Sequence, residues 1–342
     1  MLHRISLAFV LLSGVSLAQT KPAPAATWMD LAVGTDVGYS IVDDNKSKDA
    51  EGGSGSGGSG KHAARIVVLG TTDKGLLRIA IFDEQLPTES FGTAIVRGEI
   101  VTLDPATGTL QRDEAAAAAE AALPEAARWS PAEVFPFPPL SAAEWKAKKT
   151  VARTGWAPVA GEPRELPLRI AFTTRKEGKK QVPELTIELD SKEPMPVKLV
   201  GIAGMAAMAE GKMPKLGASG VEPVEATLHT LRRDCTIDAA KGRVTEIRTT
   251  GKVTAAGGKL TIACNSWQRE TERRVIATKD LPLTIEVVEE LCAIVAAKED
   301  KTERKKRAEA LAPKAKEAGF AATAERLLDS LTRSGLPPGI GR

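Results

Sequence analysis

Alternation of apolar and polar residues with a period of two runs through most of the chain and predicts β-sheet. The clearest case is three consecutive segments, 227–237, 243–253 and 259–267, which are separated by short turns rich in Ala, Gly, Asp and Lys. A period of two puts alternate side chains on opposite faces of a sheet, so each segment predicts a strand with one buried face. Turns this short join antiparallel neighbours, and the three segments therefore predict a meander.

Shorter apolar runs predict additional strands before this meander. Residues 94–103 and 109–111 flank the turn Asp104-Pro105-Ala106-Thr107-Gly108, in which Pro105 presets φ at the first turn position. Gly108 is expected in the left-handed conformation that closes such a hairpin. The other predicted strands are residues 65–69, 76–82, 166–174 and 185–189, after an entry to the sheet over residues 28–42.

Two of the predicted hairpins share a sequence pattern. Residues 101–110 and 235–244 carry Thr, an aliphatic residue, Asp, Ala and Gly at matching positions, whereas the sequence outside the two turns matches poorly. Either a β unit has been duplicated, or two unrelated hairpins use the same turn residues. The sequence leaves both explanations open.

Helical periodicity is concentrated near the C-terminus. An apolar stripe at helical spacing predicts a first helix beyond Asp280, and Asp300 with Glu303 resembles a capping box that opens a second. Gly319 is expected to end this second helix, and a third comes after it. The residues of the first stripe are Ile285, Val288, Leu291, Cys292 and Val295.

Two shorter segments have weaker helical character. Residues 114–127 are rich in Ala and Glu and predict a short helix. Residues 201–220 are rich in Gly, Ala and Met without a clear period, and predict a loop or a marginal helix.

These elements place the chain in the α+β class, with a predominantly antiparallel sheet, curved or half-closed into a barrel, and a C-terminal helical segment. Helices that follow the strands as a group argue against a doubly wound sheet. We expect a first β-rich unit at 28–134, a second at 135–280 that opens with the Pro-rich passage 135–140, and the helical segment at 281–342. The Gly/Ser-rich tract 51–60 is expected to be a flexible loop of the first unit.

The N-terminus has the three parts of a secretory signal peptide over residues 1–18. Arg4 is followed by the apolar run 5–12 and by small residues just before Gln19, where we expect cleavage. Residues 19–27 then form a disordered leader. The apolar run is too short to span a bilayer, and no later segment approaches the necessary length. The expected location is therefore periplasmic or secreted, with no integral membrane segment after cleavage.

The charge balance and the scarcity of aromatic residues narrow the possible partners and the kind of core. The chain has 47 basic and 44 acidic residues, a formal net charge of +3. A balance so close to zero argues against nucleic acid as the main partner. Aromatic residues make up 4% of the chain, so the core must rely on Val, Ile, Leu and Ala.

Few residues are available for histidine-based catalysis. Beyond residue 18 the histidines are His62, beside the Gly/Ser tract, and His229, in a predicted strand. A regular strand would place His229 and Cys235 on one face but roughly 20 Å apart, too far to share a proton or a metal. We therefore expect His229 to be structural. The catalytic residues stay unknown, because any two of the 44 acidic residues can be brought together by the fold.

Two further patterns resemble ligand-binding motifs. Residues 55–61 match the spacing of the phosphate loop G-x-x-x-x-G-K, but His62 stands where that motif requires Ser or Thr. Methionine thioethers bind Cu(I), yet methionine also fills gaps in cores, which is the expectation for the four that cluster here. No cofactor and no metal site is predicted. The four methionines are Met195, Met205, Met208 and Met213.

The three cysteines, Cys235, Cys264 and Cys292, allow at most one intramolecular disulfide. In the predicted meander Cys235 and Cys264 lie on strands separated by a third, roughly 9–10 Å apart, whereas a disulfide needs Cα atoms within about 7 Å. Cys292 is expected to be buried against the sheet. We expect three free, structural thiols; a Cys264–Cys292 disulfide is the alternative.

Three short passages carry a family resemblance: residues 28–39, residues 137–140 leading to Trp145, and the turn 235–242. They resemble exported β-sheet proteins, with a domain of unknown function, from planctomycete-type bacteria. The resemblance covers residues 28–270 and implies an exported β-sheet protein. It carries over no catalytic residue.

The sequence as a whole favours a non-catalytic binding or carrier protein of the cell envelope, with an apolar ligand or an envelope component as its partner. One alternative is a carboxylate-dependent hydrolase that acts on envelope glycans, and another is a structural envelope protein. A concave pocket lined by Ile, Leu and Val would favour the carrier, and a pocket with facing acidic residues would favour the hydrolase.

Overall fold

The computed structural model describes most of the chain from residue 30 to residue 332. The predicted signal peptide and leader, the helix at 114–127, Met213 and Gly242 lie outside the described residues. The described residues are 30–49, 54–85, 95–105, 107–112, 131, 134–135, 140–160, 162–199, 202–212, 223–238, 240–241, 243–297 and 300–332.

Twelve antiparallel strands form one curved sheet that is not closed, which confirms the α+β class. The first meander consists of β1 (Thr35–Asp49), β2 (Ser54–Thr71), β3 (Leu77–Gln85), β4 (Ile95–Asp104) and β5 (Thr109–Gln111). The second meander consists of β6 (Val151–Val159), β7 (Glu162–Glu177), β8 (Lys180–Leu189), β9 (Met195–Leu199), β10 (Val224–Asp238), β11 (Arg243–Ala255) and β12 (Leu260–Val275).

The two meanders join at the middle of the sheet. The strand order is β5-β4-β3-β2-β1-β12-β11-β10-β8-β7-β6, and β9 pairs with the part of β10 that β8 leaves uncovered. β1 and β12 are paired from Thr35↔Val275 to Asp49↔Leu260. The chain therefore starts in the middle, runs out to β5, re-enters at β6 and returns to lie beside its own first strand.

In the described part of the chain, five α-helices accompany the sheet. They are α1 (Ala142–Ala147), α2 (Ala203–Ala209), α3 (Leu281–Ala296), α4 (Lys301–Glu317) and α5 (Ala321–Thr332). Of the helices in the described part of the chain, none is both long and apolar enough to cross a membrane.

The sheet has two different faces, which we call inner and outer. The inner face carries two apolar clusters, one around Ile66 and Ile79 in the first meander and one around Leu185 and Ile262 in the second. Trp145 of α1 packs against both clusters. The side chain of Cys264 on β12 hydrogen-bonds to the backbone of Ala160, at the end of the edge strand β6, so the sheet curves towards its inner face.

The C-terminal helices cover the outer face of the first meander. Phe82 and Val67 of the sheet form one cluster with Leu291 of α3 and Leu327 of α5. Phe82 packs closely over Gly98, where an added Cβ would lie 2.6 Å from the ring. Burial of this apolar surface is the main force that holds the helices to the sheet.

Ion pairs fasten the same helical layer. Buried Asp36 of β1 accepts hydrogen bonds from Arg65 of β2 and Arg274 of β12, and both guanidinium groups also reach the carbonyl oxygen of Gly319 at the end of α4. Glu84 of β3 accepts a hydrogen bond of 2.6 Å from Thr323 of α5. These contacts connect the helices to both meanders.

Several local predictions are confirmed. The strands at 227–237, 243–253 and 259–267 are consecutive neighbours, and Gly108 is left-handed with φ of 73°. Gly319, with φ of 80°, lies just beyond the end of α4.

Other segments differ from expectation, each for a local reason. Residues 54–60, expected in a flexible loop, lie in β2 and pair with β1. For 201–220, where a loop or a marginal helix was expected, the helix is the alternative that forms, as α2. Asp300 caps α4 through the Thr302 N–H, but the side chain of Glu303 binds Lys306 instead of completing a capping box.

Candidate functional site

A groove of about 420 Å³ lies on the outer face of the sheet, where the two meanders meet. Val42 and Asp44 of β1 form one wall and Arg248 and Thr250 of β11 form the other. Trp267 of β12 lies between them, directly opposite Val42 on one side and Arg248 on the other. The walls are therefore set by strand pairing at the centre of the sheet rather than by a loop.

Trp267 is held by its polar edge and exposed over much of its ring. It is 37% exposed, which is high for a large aromatic residue in a central strand. Its side chain hydrogen-bonds to the Glu246 carboxylate, which also accepts a bond of 2.7 Å from Arg248. The Arg269 guanidinium lies 6.0 Å from the ring centroid, at the outer limit of a cation–π contact. The indole thus has a fixed position.

The hydrogen bonds at the polar edge of the Trp267 indole keep Glu246 ionised. Burial alone would raise the pKa of Glu246, but hydrogen bonds from Arg248 and Trp267 outweigh it, and the pKa is lowered overall. A charged Glu246 is an acceptor for both donors, so the groove has a persistent polar rim.

Asn265 provides an amide beside the indole in the same groove. Its side-chain Nδ2 donates to the backbone oxygen of Asp44 at 3.1 Å, and its backbone N–H donates to Asn45 Oδ1 at 3.3 Å. These bonds fix the amide at the junction of β1 and β12. The lining therefore combines one aromatic ring with amide, hydroxyl, carboxylate and guanidinium groups.

A second polar cluster lies on the inner face, around His62 of β2. Its Nδ1 is 3.2 Å from Asp83 Oδ1 and its Nε2 is 3.4 Å from Asp43 Oδ2. Ser266 hydrogen-bonds to Asp43, and Arg97 lies 3.7 Å from the other oxygen of Asp83. Burial alone would lower the pKa of His62, but the hydrogen bond and charge of Asp83, with the charge of Asp43, raise it overall.

The order of groups in this second cluster argues against serine-hydrolase chemistry. A serine nucleophile needs a direct hydrogen bond to the histidine that removes its proton. Here Asp43 stands between Ser266 and His62, and both nitrogens of His62 face carboxylates. Within the described ranges no three His, Cys, Asp or Glu side chains are placed to hold a metal ion. The cluster is best explained as a clamp that joins β1, β2 and β3.

A third group of charges, near the start of β1, is a closed structural network. Arg243 donates to Asp30 at 3.0 Å and to Glu270 at 2.9 Å, and Arg273 also binds Glu270. Each charge has an opposite partner, and burial raises the pKa of the adjacent Tyr39. The network ties the entry of the chain to β11 and β12.

The structure separates the residues that the sequence singled out. His229 bonds to Thr254 at 2.8 Å on the outer face, because a bulge between Leu228 and Thr230 reverses the alternation of β10. Cys235 is buried on the inner face, so the expectation that it shares a face with His229 is wrong. Residues 55–60, in the phosphate-loop match, belong to a strand.

The three cysteines are free and buried, as expected, and no Cys264–Cys292 disulfide forms. Burial raises the pKa of Cys235 to about 12 and also raises the pKa of Cys264 and Cys292. Such thiols are weak nucleophiles at neutral pH and behave as small apolar residues.

Sequence reasoning missed Trp267, although a signal was present. Leu260, Ile262 and Cys264 are the buried apolar positions of β12, so the alternation of the strand places Trp267 on its polar face. A large aromatic residue on the polar face of a predicted strand marks a surface that can bind a ligand. The other walls were not accessible from the sequence, because Val42 and Asp44 are more than 200 residues away from Trp267 along the chain.

Comparison with known proteins assigns no family. No protein-family model matches the sequence, and no curated protein matches it. Among solved structures, a conserved protein of unknown function with a hot dog fold from Alicyclobacillus acidocaldarius is aligned over 72% of this chain and 83% of its own, with 11% identity and a TM-score of 0.11. A TM-score this low carries no argument about fold or function, so a functional assignment has to rest on the groove itself.

Proposed function

We propose that this protein is an exported, non-catalytic binding protein whose outer-face groove holds a saccharide segment of the cell envelope. The observation that carries the proposal is the exposed Trp267, hydrogen-bonded to Glu246, in a groove of about 420 Å³ whose exposed surface is mainly apolar and whose lining includes amide, hydroxyl and carboxylate groups.

Saccharides combine apolar C–H faces with closely spaced hydroxyl groups. An indole ring packs against such a C–H face, while amide, hydroxyl and carboxylate groups exchange hydrogen bonds with the hydroxyls. Trp267 provides the ring, and Asn265, Thr250 and Asp44 provide the polar groups on adjacent strands. The groove is already formed, so little ordering of the protein opposes binding.

The envelope component is favoured over the apolar ligand among the partners that the sequence suggested. On the inner face, the Ile, Leu and Val side chains that a carrier pocket would need are consumed by the two core clusters, where Ile66, Ile79 and Ile262 are fully buried. The described groove combines a mainly apolar exposed surface at Trp267 with amide, hydroxyl and carboxylate groups, and this combination suits the C–H faces and the hydroxyls of a saccharide.

The hydrolase alternative is less well supported by the same groove. Glycoside hydrolysis generally needs two carboxyl groups about 5–10 Å apart across the scissile bond. Among the described residues that line the groove, Asp44 is the one carboxylate, and Glu246 behind it is bound to Arg248 and Trp267. Binding without catalysis is therefore the function we propose.

Export is part of the same proposal and rests on residues 1–18 alone. The predicted secretory signal would place the chain where envelope glycans are, and an intact mass that begins at Gln19 is expected for the exported form. An exported form that retains residues 1–18 would count against this part of the proposal.

The binding proposal is tested with the mature chain and soluble oligosaccharides of envelope type, both N-acetylated amino-sugar oligomers and neutral hexose oligomers. Isothermal titration should show binding to the wild type and a loss of roughly tenfold or more in affinity for Trp267→Ala, because a central aromatic anchor is removed. Trp156→Ala is the matched control, since Trp156 is 51% exposed on β6, outside the groove.

Two outcomes would reject the proposal. One is that the wild type binds none of these oligosaccharides. The other is that Trp267→Ala binds as tightly as Trp156→Ala while both variants keep the wild-type melting temperature.

A further inference from the structure

Arg233 is a buried charge on the apolar inner face of β10. It lies between Leu231 and Cys235 in the alternating pattern of the strand and is 6% exposed. Its direct neighbours in the sheet are Ile187 of β8 and Thr249 of β11. Leu231, Cys235 and Ile187 belong to the apolar core of the second meander, so Arg233 is surrounded by core residues although a guanidinium is strongly hydrophilic.

No acidic side chain in the described part of the chain pairs with Arg233, and its Nε is buried without a hydrogen bond. Arg243, 8% exposed, also has a buried Nε without a hydrogen bond, but its two terminal nitrogens bind Asp30 and Glu270. The acid closest in sequence, Asp234, points to the outer face and binds Arg232 there.

An unpaired guanidinium in this position is costly to the folded state. Moving a charge out of water costs several kcal/mol unless opposite charge and hydrogen bonds compensate, and native proteins rarely leave such a group unsatisfied. Consistent with this, burial lowers the pKa of Arg233. A residue that carries such a penalty would be stabilised by an oppositely charged partner.

We propose that Arg233 is the anchor of a second ligand site, on the inner face, which binds an oxyanion, either a carboxylate or a phosphate. The planar fork of a guanidinium matches two oxygens of either group and forms short, charge-assisted hydrogen bonds with them. Thr249, directly opposite Arg233 on β11, places a hydroxyl in the same row of the sheet.

This site has a different anchor from the saccharide groove, although Thr249 is also among the residues that line the groove. Arg233 faces the inner side of the sheet, whereas Trp267 and Arg248 face the outer side. Failure of one proposal therefore leaves the other intact, and Trp267→Ala should bind oxyanions as the wild type does.

The test combines stability and binding in the full mature chain, desalted into an anion-poor zwitterionic buffer. Without added anion, Arg233→Met should melt at the same temperature as the wild type or higher, because it removes an unpaired buried charge at similar volume. Acetate, inorganic phosphate, dodecanoate and dodecyl phosphate are then added separately, with dodecanol as the uncharged control. The proposal expects at least one oxyanion to raise the wild-type melting temperature and none to affect Arg233→Met.

Arg232→Met is the matched control, since Arg232 is the next residue but lies on the outer face, half exposed, with Asp234 and Glu188 as partners. It should respond to oxyanions like the wild type. Stabilisation by the dodecyl anions but not by acetate or phosphate would identify an amphiphile headgroup; stabilisation by all would identify a free anion.

The proposal is overturned if no oxyanion stabilises the wild type, or if oxyanions act equally on Arg233→Met. It is also overturned if Arg233→Met melts well below the wild type in the absence of anion, since the guanidinium would then be compensated within the chain. Arg233→Lys provides a second check, because it keeps the charge but loses the fork. It should bind the active oxyanion about tenfold more weakly or worse, and equal affinity would contradict the assignment.

Discussion

Charged side chains on the inner face of the sheet differ in whether a neighbour compensates them. His62 lies between Asp43 and Asp83, whereas Arg233 has no acidic partner among the described residues. Both side chains occupy positions where alternation would place an aliphatic residue, so their chemistry must offset the loss of apolar burial. For His62 the two carboxylates compensate the loss of apolar burial, and the stability that they provide depends on pH.

The stability that His62 contributes should decrease as pH rises. Its pKa in the folded protein is above its ordinary value of 6.5, mainly through Asp83, so folding favours the protonated ring. The stabilisation is then fully present below about pH 6.5 and is lost as pH rises through the higher pKa of the folded state. Burial also raises the pKa of Asp43, which gives the same direction of change at more acidic pH.

We therefore expect the free energies of unfolding of wild type and His62→Asn in urea to differ most at pH 5 to 6, by about 1–2 kcal/mol, and the difference to shrink as pH rises above 6.5. His229→Asn is the control, because His229 hydrogen-bonds to a threonine and has no carboxylate partner among the described residues. A difference for His62→Asn that stays constant from pH 5 to pH 9 would show that the ring acts by packing alone.

At the scale of elements, the parts of the fold that the sequence predicts well are those in which two signals coincide. The strands β10, β11 and β12 show both the period of two and short turns, and their predicted order is confirmed. The C-terminal helices likewise combine an apolar stripe with terminal residues such as Asp300 and Gly319. Local chemistry is sufficient there.

Elements that depend on distant pairing were not predictable in the same way. Residues 54–60 have the composition of a linker, yet they extend β2 because residues 43–48 of β1 offer backbone hydrogen bonds, which require no particular side chain. No feature of the sequence indicates the bulge in β10, which moves His229 to the other face. The groove could not be predicted for the same reason, because β1 and β12 are the first and the last of the described strands along the chain.

The parity of individual residues nevertheless contains information about both proposed sites. Trp267 falls on the polar face of its predicted strand, and Arg233 falls on the apolar face of its own. Each exception to the alternation coincides with a feature that packing alone does not explain. A residue that breaks the alternation of a predicted strand can be recognised from the sequence alone, and both Trp267 and Arg233 are of this kind.

At the scale of the molecule, the pairing of β1 with β12 joins the two meanders and the helical layer. We expect these parts to unfold as one cooperative unit. Asp36 on β1 binds Arg274 on β12, and both guanidinium groups that hold Asp36 also contact Gly319 between α4 and α5. A rupture of the β1–β12 seam would therefore expose the inner clusters and release the helices together. The three cysteines report on this, because they are distributed over the separate clusters.

Cys235 and Cys264 lie in the inner cluster of the second meander, and Cys292, on α3, lies in the outer cluster. All three are buried with raised pKa, so a thiol-alkylating reagent at neutral pH should leave the native protein unlabelled.

In increasing urea, with labelled sites assigned by peptide mass spectrometry, the three cysteines should become reactive at one common midpoint. The reason is that the seam and the ion pairs at Asp36 couple the clusters, so that no part opens alone. Labelling of Cys292 at a clearly lower urea concentration than Cys235 and Cys264 would show that the helical layer detaches first, and that the contacts at Gly319 and Glu84 are too weak to make it part of the cooperative unit.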